Sequence, residues 1–247
     1  MDSLLGIALI VLAAGLIFIF ALPRRKPVAR ALRPIPAIKR LRRAIGLAVE
    51  DGKRLHVSLG SASIVSPQSA STLAGLATLE RIAQISVISD RPPVATSGEG
   101  SVALLSQDTL RGVYRAGNAM DQFDPDRGRL AGTDPLSYVA GAIPVIRREQ
   151  VSTNILVGNF GPEVGLLCES AEHANAFTLA ASDSLPAQAV MYAVAEETLI
   201  GEELFALPAY LQAGPAHQAS LRAQDILRLV VIAGLILGAI LRFLGFV

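Results

Sequence analysis

The chain has 247 residues, with 22 Lys and Arg against 21 Asp and Glu, for a formal net charge of +1. Hydrophobic residues make up 51% of it, and the mean hydropathy of +0.47 is high for a soluble protein. The single cysteine, Cys168, excludes an intrachain disulfide and fits a reducing compartment.

The near-neutral total hides an asymmetry. Residues 1–43 hold nine basic residues and one acid, which leaves 13 basic and 20 acidic residues, a net of −7, in residues 44–247. A basic collar is attached to an acidic body, and an acidic body argues against nucleic acid as a partner.

The first element, Leu4–Leu22 (LLGIALIVLAAGLIFIFAL), carries no charge and no proline. As a helix it spans roughly 28 Å, about the thickness of a bilayer core. A cleaved signal peptide would place positive charge before the apolar run, whereas here the charge follows it. We therefore expect a transmembrane helix over residues 1–23. Next comes the basic collar, residues 24–52, with Arg24, Arg25, Lys26, Lys39, Arg40, Arg42 and Arg43 as candidate membrane-surface residues. Basic residues beside a transmembrane helix stay cytoplasmic. Within the collar, Ile35, Ile38, Leu41, Ile45 and Val49 fall near helical spacing. Two readings stay open: a helix lying on an anionic leaflet, or a solvated charge cluster that sets topology.

Residues 53–224 form the expected cytoplasmic domain, in which short strand-like runs alternate with helical ones. Strands are expected at Arg54–Leu59, Pro93–Ser97, Val151–Val157 and Phe177–Ala181. Helices are expected over Ser69–Ile88, Ser101–Ala116, Pro135–Glu149 (with Pro144 expected to kink or break it), Pro162–Glu172, Pro186–Ala195 and Leu199–Leu211. Gly117–Asp134 reads as a long polar loop. The alternation implies an α/β fold: a Rossmann-like three-layer domain with a mostly parallel sheet of about four strands. Right-handed crossovers would gather the loops Gly60–Gln68, Gly98–Gly100, Gly158–Glu163 and Ser182–Pro186 at one edge, where open α/β sheets bind ligands.

That edge supplies the candidate ligand-binding residues Gly60, Ser61, Ser63, Gly98, Gly100, Gly158, Asn159, Gly161 and Glu163. Hydroxyls and backbone amides at a helix start can hold an anion. The loops lack both the P-loop lysine and a G-x-G-x-x-G, and serines there serve equally as caps. Asp121, Asp124 and Asp126 lie close in sequence but lack the spacing of a calcium loop, so no metal site is assigned. No G-x-S-x-G is present, and His56, His173 and His217 have no recognisable catalytic partner. Glu196, Glu197, Glu202 and Glu203 read as a solvated helix face. No catalytic residue and no cofactor is assigned.

The last element, Ile226–Val247, has an uncharged centre, Leu229–Leu241, flanked by Arg228 and Arg242. It reads as a second transmembrane helix over 225–247, with an amphipathic or buried helix as the rival. Both termini would then lie outside, in a two-pass inner (plasma) membrane topology. Gly234 and Gly238 form a G-x-x-x-G that would let another helix approach closely.

The stretches HVSLGSAS, SDRPPVATSGEG, ILVGNFGPE and LIGEELFALPAYL, set between two apolar ends, resemble an uncharacterised group of prokaryotic membrane proteins that carry a conserved domain of unknown function. The resemblance runs roughly from His56 to the C-terminus and implies no activity, cofactor or site residue. From the residues we expect a non-catalytic scaffold, docking or ligand-sensing module, oligomeric or part of a larger membrane complex. The alternative is a nucleotide- or phosphate-binding protein or enzyme using the glycine-lined edge.

Overall fold

The computed structural model describes residues 2–22, 33–87, 89 and 91–244. The chain divides into two compact units, residues 1–32 with 214–247, and residues 33–213.

In the first unit, α1 (Asp2–Ala21) packs along α9 (Pro215–Phe243). α9 is long and apolar enough to cross a bilayer, and none of its apolar stretch is buried. Leu9–Ala21 of α1 is an apolar stretch of shorter length. Among the described residues, only the C-terminal segment has the dimensions expected of both ends.

The second unit starts with α2 (Pro36–Glu50) and β1 (Arg54–Gly60), followed by α3 (Ser69–Ser86), β2 (Val94–Ser97) and α4 (Gly100–Ala116). Then come β3 (Gly128–Leu130), α5 (Pro135–Arg148), β4 (Val151–Asn159), α6 (Val164–His173) and β5 (Phe177–Ser182). α7 (Leu185–Val194), β6 (Glu197–Ile200) and α8 (Glu203–Tyr210) complete it. All strand pairs are parallel, in the order β3-β2-β1-β4-β5-β6. This is the order of a doubly wound sheet, with its topological switch between β1 and β4.

The sheet has six strands rather than about four. β3 is three residues inside the polar stretch 117–134, too short to show alternation, and exists because it pairs with β2. β6 starts at Glu197, one of four acids that read as a helix face. Glu197 is instead buried and bonded to Arg40. α5 runs through Pro144 without ending there.

Side chains alternate across the strands and build two cores. Leu55, Val57 and Leu59 of β1 face α2, α3, α4 and α8, while Leu156 of β4 and Ala180 of β5 face α5, α6 and α7. The α2 stripe belongs to the first core: Ile38, Leu41 and Ile45 are buried against it. The apolar face that would have entered a leaflet is already covered by the sheet, and α2 leaves its basic residues outward. Burying those three side chains contributes about 2 kcal/mol each, enough to hold a 15-residue helix that could not persist alone.

Candidate functional site

The loops after β1, β2 and β4 meet at the C-terminal edge of the sheet. Gly98 N–H donates to Gly60 O at 2.8 Å, and Ser61 N–H donates to Asn159 O at 3.0 Å. Two glycines let β1 and β4 approach there. Gly60 has φ +75°, and a Cβ on it would lie 2.2 Å from Asn159 O. A Cβ on Gly158 would lie 2.2 Å from Leu59 O. Their first role is strand contact rather than ligand contact. Gly98 is tight against Ser61, whereas a Cβ on Gly100 would meet nothing within 4 Å. Ser63 turns the chain, its carbonyl accepting from Ser66 Oγ at 2.7 Å.

Two helix starts at this edge, those of α4 and α5, are capped by the chain's own carboxylates, and two more carboxylates are engaged in the loops between. Glu99 accepts from Val102 N–H at 3.0 Å at the start of α4. Asp134 and Ser137 form a capping box on α5, and this pulls the Asp134 carboxyl below the usual range. Glu163 accepts from Gly161 N–H at 2.9 Å ahead of α6. Asp183 accepts from Asn159 Nδ2 at 2.8 Å, so Asn159 is also engaged. At α4 and α5 the amides and positive dipole ends that would receive a phosphate already face internal negative charge. The starts of α3, behind the Ser/Gly loop, and of α6, α7 and α8 have no side-chain cap.

Beneath this edge lies a fully buried polar cluster that sequence reasoning missed. His56 of β1 sits 2.7 Å from Asn154 Oδ1 through Nδ1 and 2.9 Å from Thr96 Oγ1 through Nε2. In the neutral ring, Nδ1–H donates to Asn154 and Nε2 accepts from the Thr96 hydroxyl. Tyr138 of α5 hydrogen-bonds Ser58 and reaches Thr96 at 3.5 Å. Burial pushes His56 down to about 4, against the Asn154 hydrogen bond, and pushes Tyr138 up. Asn154 Nδ2 is buried without a partner. The signal for this cluster was in β1, where His56 and Ser58 alternate with Leu55, Val57 and Leu59; Thr96 and Asn154 stand beside other polar residues and carry no such pattern. Cys168 is buried in the second core, which pushes its thiol up to about 12.

At the opposite edge, three arginines converge on one acid. Arg54 Nη1 lies 2.6 Å from Glu149 Oε2, Arg127 Nη1 lies 3.4 Å from it, and Arg129 also bonds Glu149. Near that edge is a groove of about 490 Å³, lined in part by Leu47, Asp51, Lys53, Ser152, Phe177 and Glu196. No loop motif marks it in the sequence. Asp124 caps a single turn and pairs with Arg127 at 3.0 Å. Among the described residues, no group of three or more His, Cys, Asp or Glu gathers at metal-binding distance.

Of the surface cations, Arg40 lies 2.6 Å from Glu197, Arg42 donates to the Tyr210 carbonyl, and Lys39 and Arg43 are exposed on α2. Arg24, Arg25 and Lys26 lie outside the described residues. Among the described residues, no atom lies within 4 Å of where a Cβ on Gly234 or Gly238 would stand.

A doubly wound parallel domain joined to an apolar helix pair defines the class. The chain belongs to the family described as Domain of unknown function (DUF6754), whose model matches residues 2–247. The match includes the N-terminal helix and the collar, a longer span than the resemblance from His56 onward. No curated protein and no solved structure matches the chain.

Proposed function

We propose that this chain is a membrane-anchored docking module of a prokaryotic cell. In this reading α1 and α9 hold a non-catalytic α/β domain on the cytoplasmic face of the inner (plasma) membrane, as a homo-oligomer or a complex subunit. The observation that carries it is the surface of α9. Leu229, Val230, Val231, Ile232, Leu235 and Ile236 are all exposed. Successive helical positions turn by about 100°, so these residues face every direction. An apolar surface on all sides of a helix calls for lipid or closely packed protein around it. The nine Lys and Arg of residues 24–43 supply the cytoplasmic bias and attract an anionic leaflet. The carboxylate caps on α4 and α5 favour docking over phosphate chemistry at those two starts.

The test is alkaline carbonate extraction of native membranes, followed by trypsin treatment of inside-out and right-side-out vesicles. The expected result is retention in the pellet, with cleavage of the 33–213 unit only in inside-out vesicles. Release by carbonate overturns the anchor, and cleavage in right-side-out vesicles overturns the orientation.

The strand order favours a second reading, a nucleotide at the switch point between β1 and β4 above the uncapped start of α3. ATP and NAD added separately to the detergent-solubilised chain discriminate: the docking reading expects no change in Tm, and the nucleotide reading a rise.

A further inference from the structure

Each of the six parallel strands runs into a helix at the C-terminal edge, and those six junctions share one character. Residues 61–68, 98–104, 131–137, 160–166, 183–189 and 201–203 contain Glu99, Asp134, Glu163, Asp183, Glu202 and Glu203 and no Lys or Arg. The same segments expose large aliphatic side chains. Val65 is 88% exposed, Leu185 78%, and Leu104 and Leu136 67% each. Isolated exposed leucines are ordinary, but here the topology delivers one from each of several junctions to a single edge. Glu99, Asp134 and Glu163 each accept from a backbone amide and Asp183 from the Asn159 side chain, yet their charge remains at the rim of that aliphatic surface.

The same chain carries a surface of opposite character. On α2, Lys39, Arg43 and Leu47 recur at i, i+4 and i+8, so they form one exposed ridge with an apolar end. Arg40 and Arg42 flank it. The buried stripe Ile38, Leu41 and Ile45 fixes the helix so that this ridge points away from the sheet.

We propose that the acidic, aliphatic C-terminal edge of one copy docks the basic ridge of α2 from a second copy. The aliphatic residues would supply the buried area and the charges would set register and partner choice. The two patches differ, so the contact is head-to-tail and generates a ring or a row of copies along the membrane rather than an isolated dimer. The proposal deepens the oligomeric reading above and does not depend on which side of the membrane the domain occupies.

The test uses the full chain in native membranes, with Leu185→benzoylphenylalanine as a photo-crosslinking probe. Adducts are mapped by mass spectrometry. The expected result is a crosslink between copies that lands on residues 36–50. Two charge variants decide the electrostatics. Lys39→Glu with Arg43→Glu, and separately Glu163→Lys with Asp183→Lys, each lower the adduct yield at least about tenfold. Co-expressing the two variants, each of which retains one native patch, restores the adduct because every new contact again joins opposite charges. Restoration also shows that neither variant is merely misfolded. An adduct on another protein, on lipid or on a different part of the chain overturns the proposal. So does a yield indifferent to the charge variants, or a mixture that fails to recover. Carbonate extraction run on the same membranes separates this failure from failure of the anchor, because the docking variants leave the helices untouched.

Discussion

Acid should loosen this domain chiefly at His56. The ring is fully buried between Asn154 and Thr96, and its pKa falls from 6.5 to about 4 because the charged form has lost its water. The folded state therefore binds fewer protons than the unfolded state between these two values. Stability is intact above pH 6.5, declines as pH falls and the unfolded chain takes up the proton, and levels off below pH 4. A shift of this size is worth about 3 kcal/mol in full, and about 2.5 kcal/mol by pH 4.5. The chain has no Trp, so urea unfolding is followed by far-UV circular dichroism in detergent at pH 7.5 and 4.5. The Asp134 carboxyl, held below its usual range by its capping box, adds acid sensitivity of its own, which is why the comparison needs His56→Gln. That variant keeps a side-chain amide for hydrogen bonding and cannot titrate. It should be less stable at pH 7.5 and should lose about 2.5 kcal/mol less than the parent on going to pH 4.5. Identical pH slopes for the two chains would show that His56 does not titrate as its burial requires.

Leu41→Ala should cost about 2–5 kcal/mol in the same urea assay, because Leu41 is fully buried in the first core. A cost near zero would mean that α2 leaves the sheet. Gly158→Ala should cost about 2–3 kcal/mol, since its methyl group would stand 2.2 Å from the Leu59 carbonyl and force β1 and β4 apart. Gly100→Ala is the matched control and should change stability by less than about 1 kcal/mol, having open space around it. Glu149→Gln should cost about 3 kcal/mol by leaving Arg54, Arg127 and Arg129 facing one another with no shared carboxylate. Thermal melts of that variant should recover partly in high salt as the arginines are screened.

Much of the fold was legible because the relevant signals are local. The runs Arg54–Leu59 and Val151–Val157 announce buried strands, and the helical stripes between strands announce crossovers. The apolar terminal segments are equally plain. Where the signal was lost, a partner had supplied it. β3 is three residues long and is a strand only because β2 lies beside it. β6 begins with Glu197, which Arg40, far away in sequence, makes tolerable inside the structure. At the candidate edge, the loop positions followed from strand direction, but the state of each group did not. Glu163 and Asn159 look available in the sequence and are engaged by Gly161 and Asp183 in the fold.

The order of letters alone settled the alternation of strands and helices, the apolar character of both ends and the segregation of charge into a basic collar and an acidic body. These are properties of neighbours along the chain, and periodicity reads them directly. Tertiary structure decided what each apolar face meets: α2 turned its stripe to the sheet, not to lipid. It also decided which polar groups lose water, placing His56 in the interior with Thr96 and Asn154. Burial and pairing join residues tens to a hundred positions apart, and no local pattern encodes the distance between them.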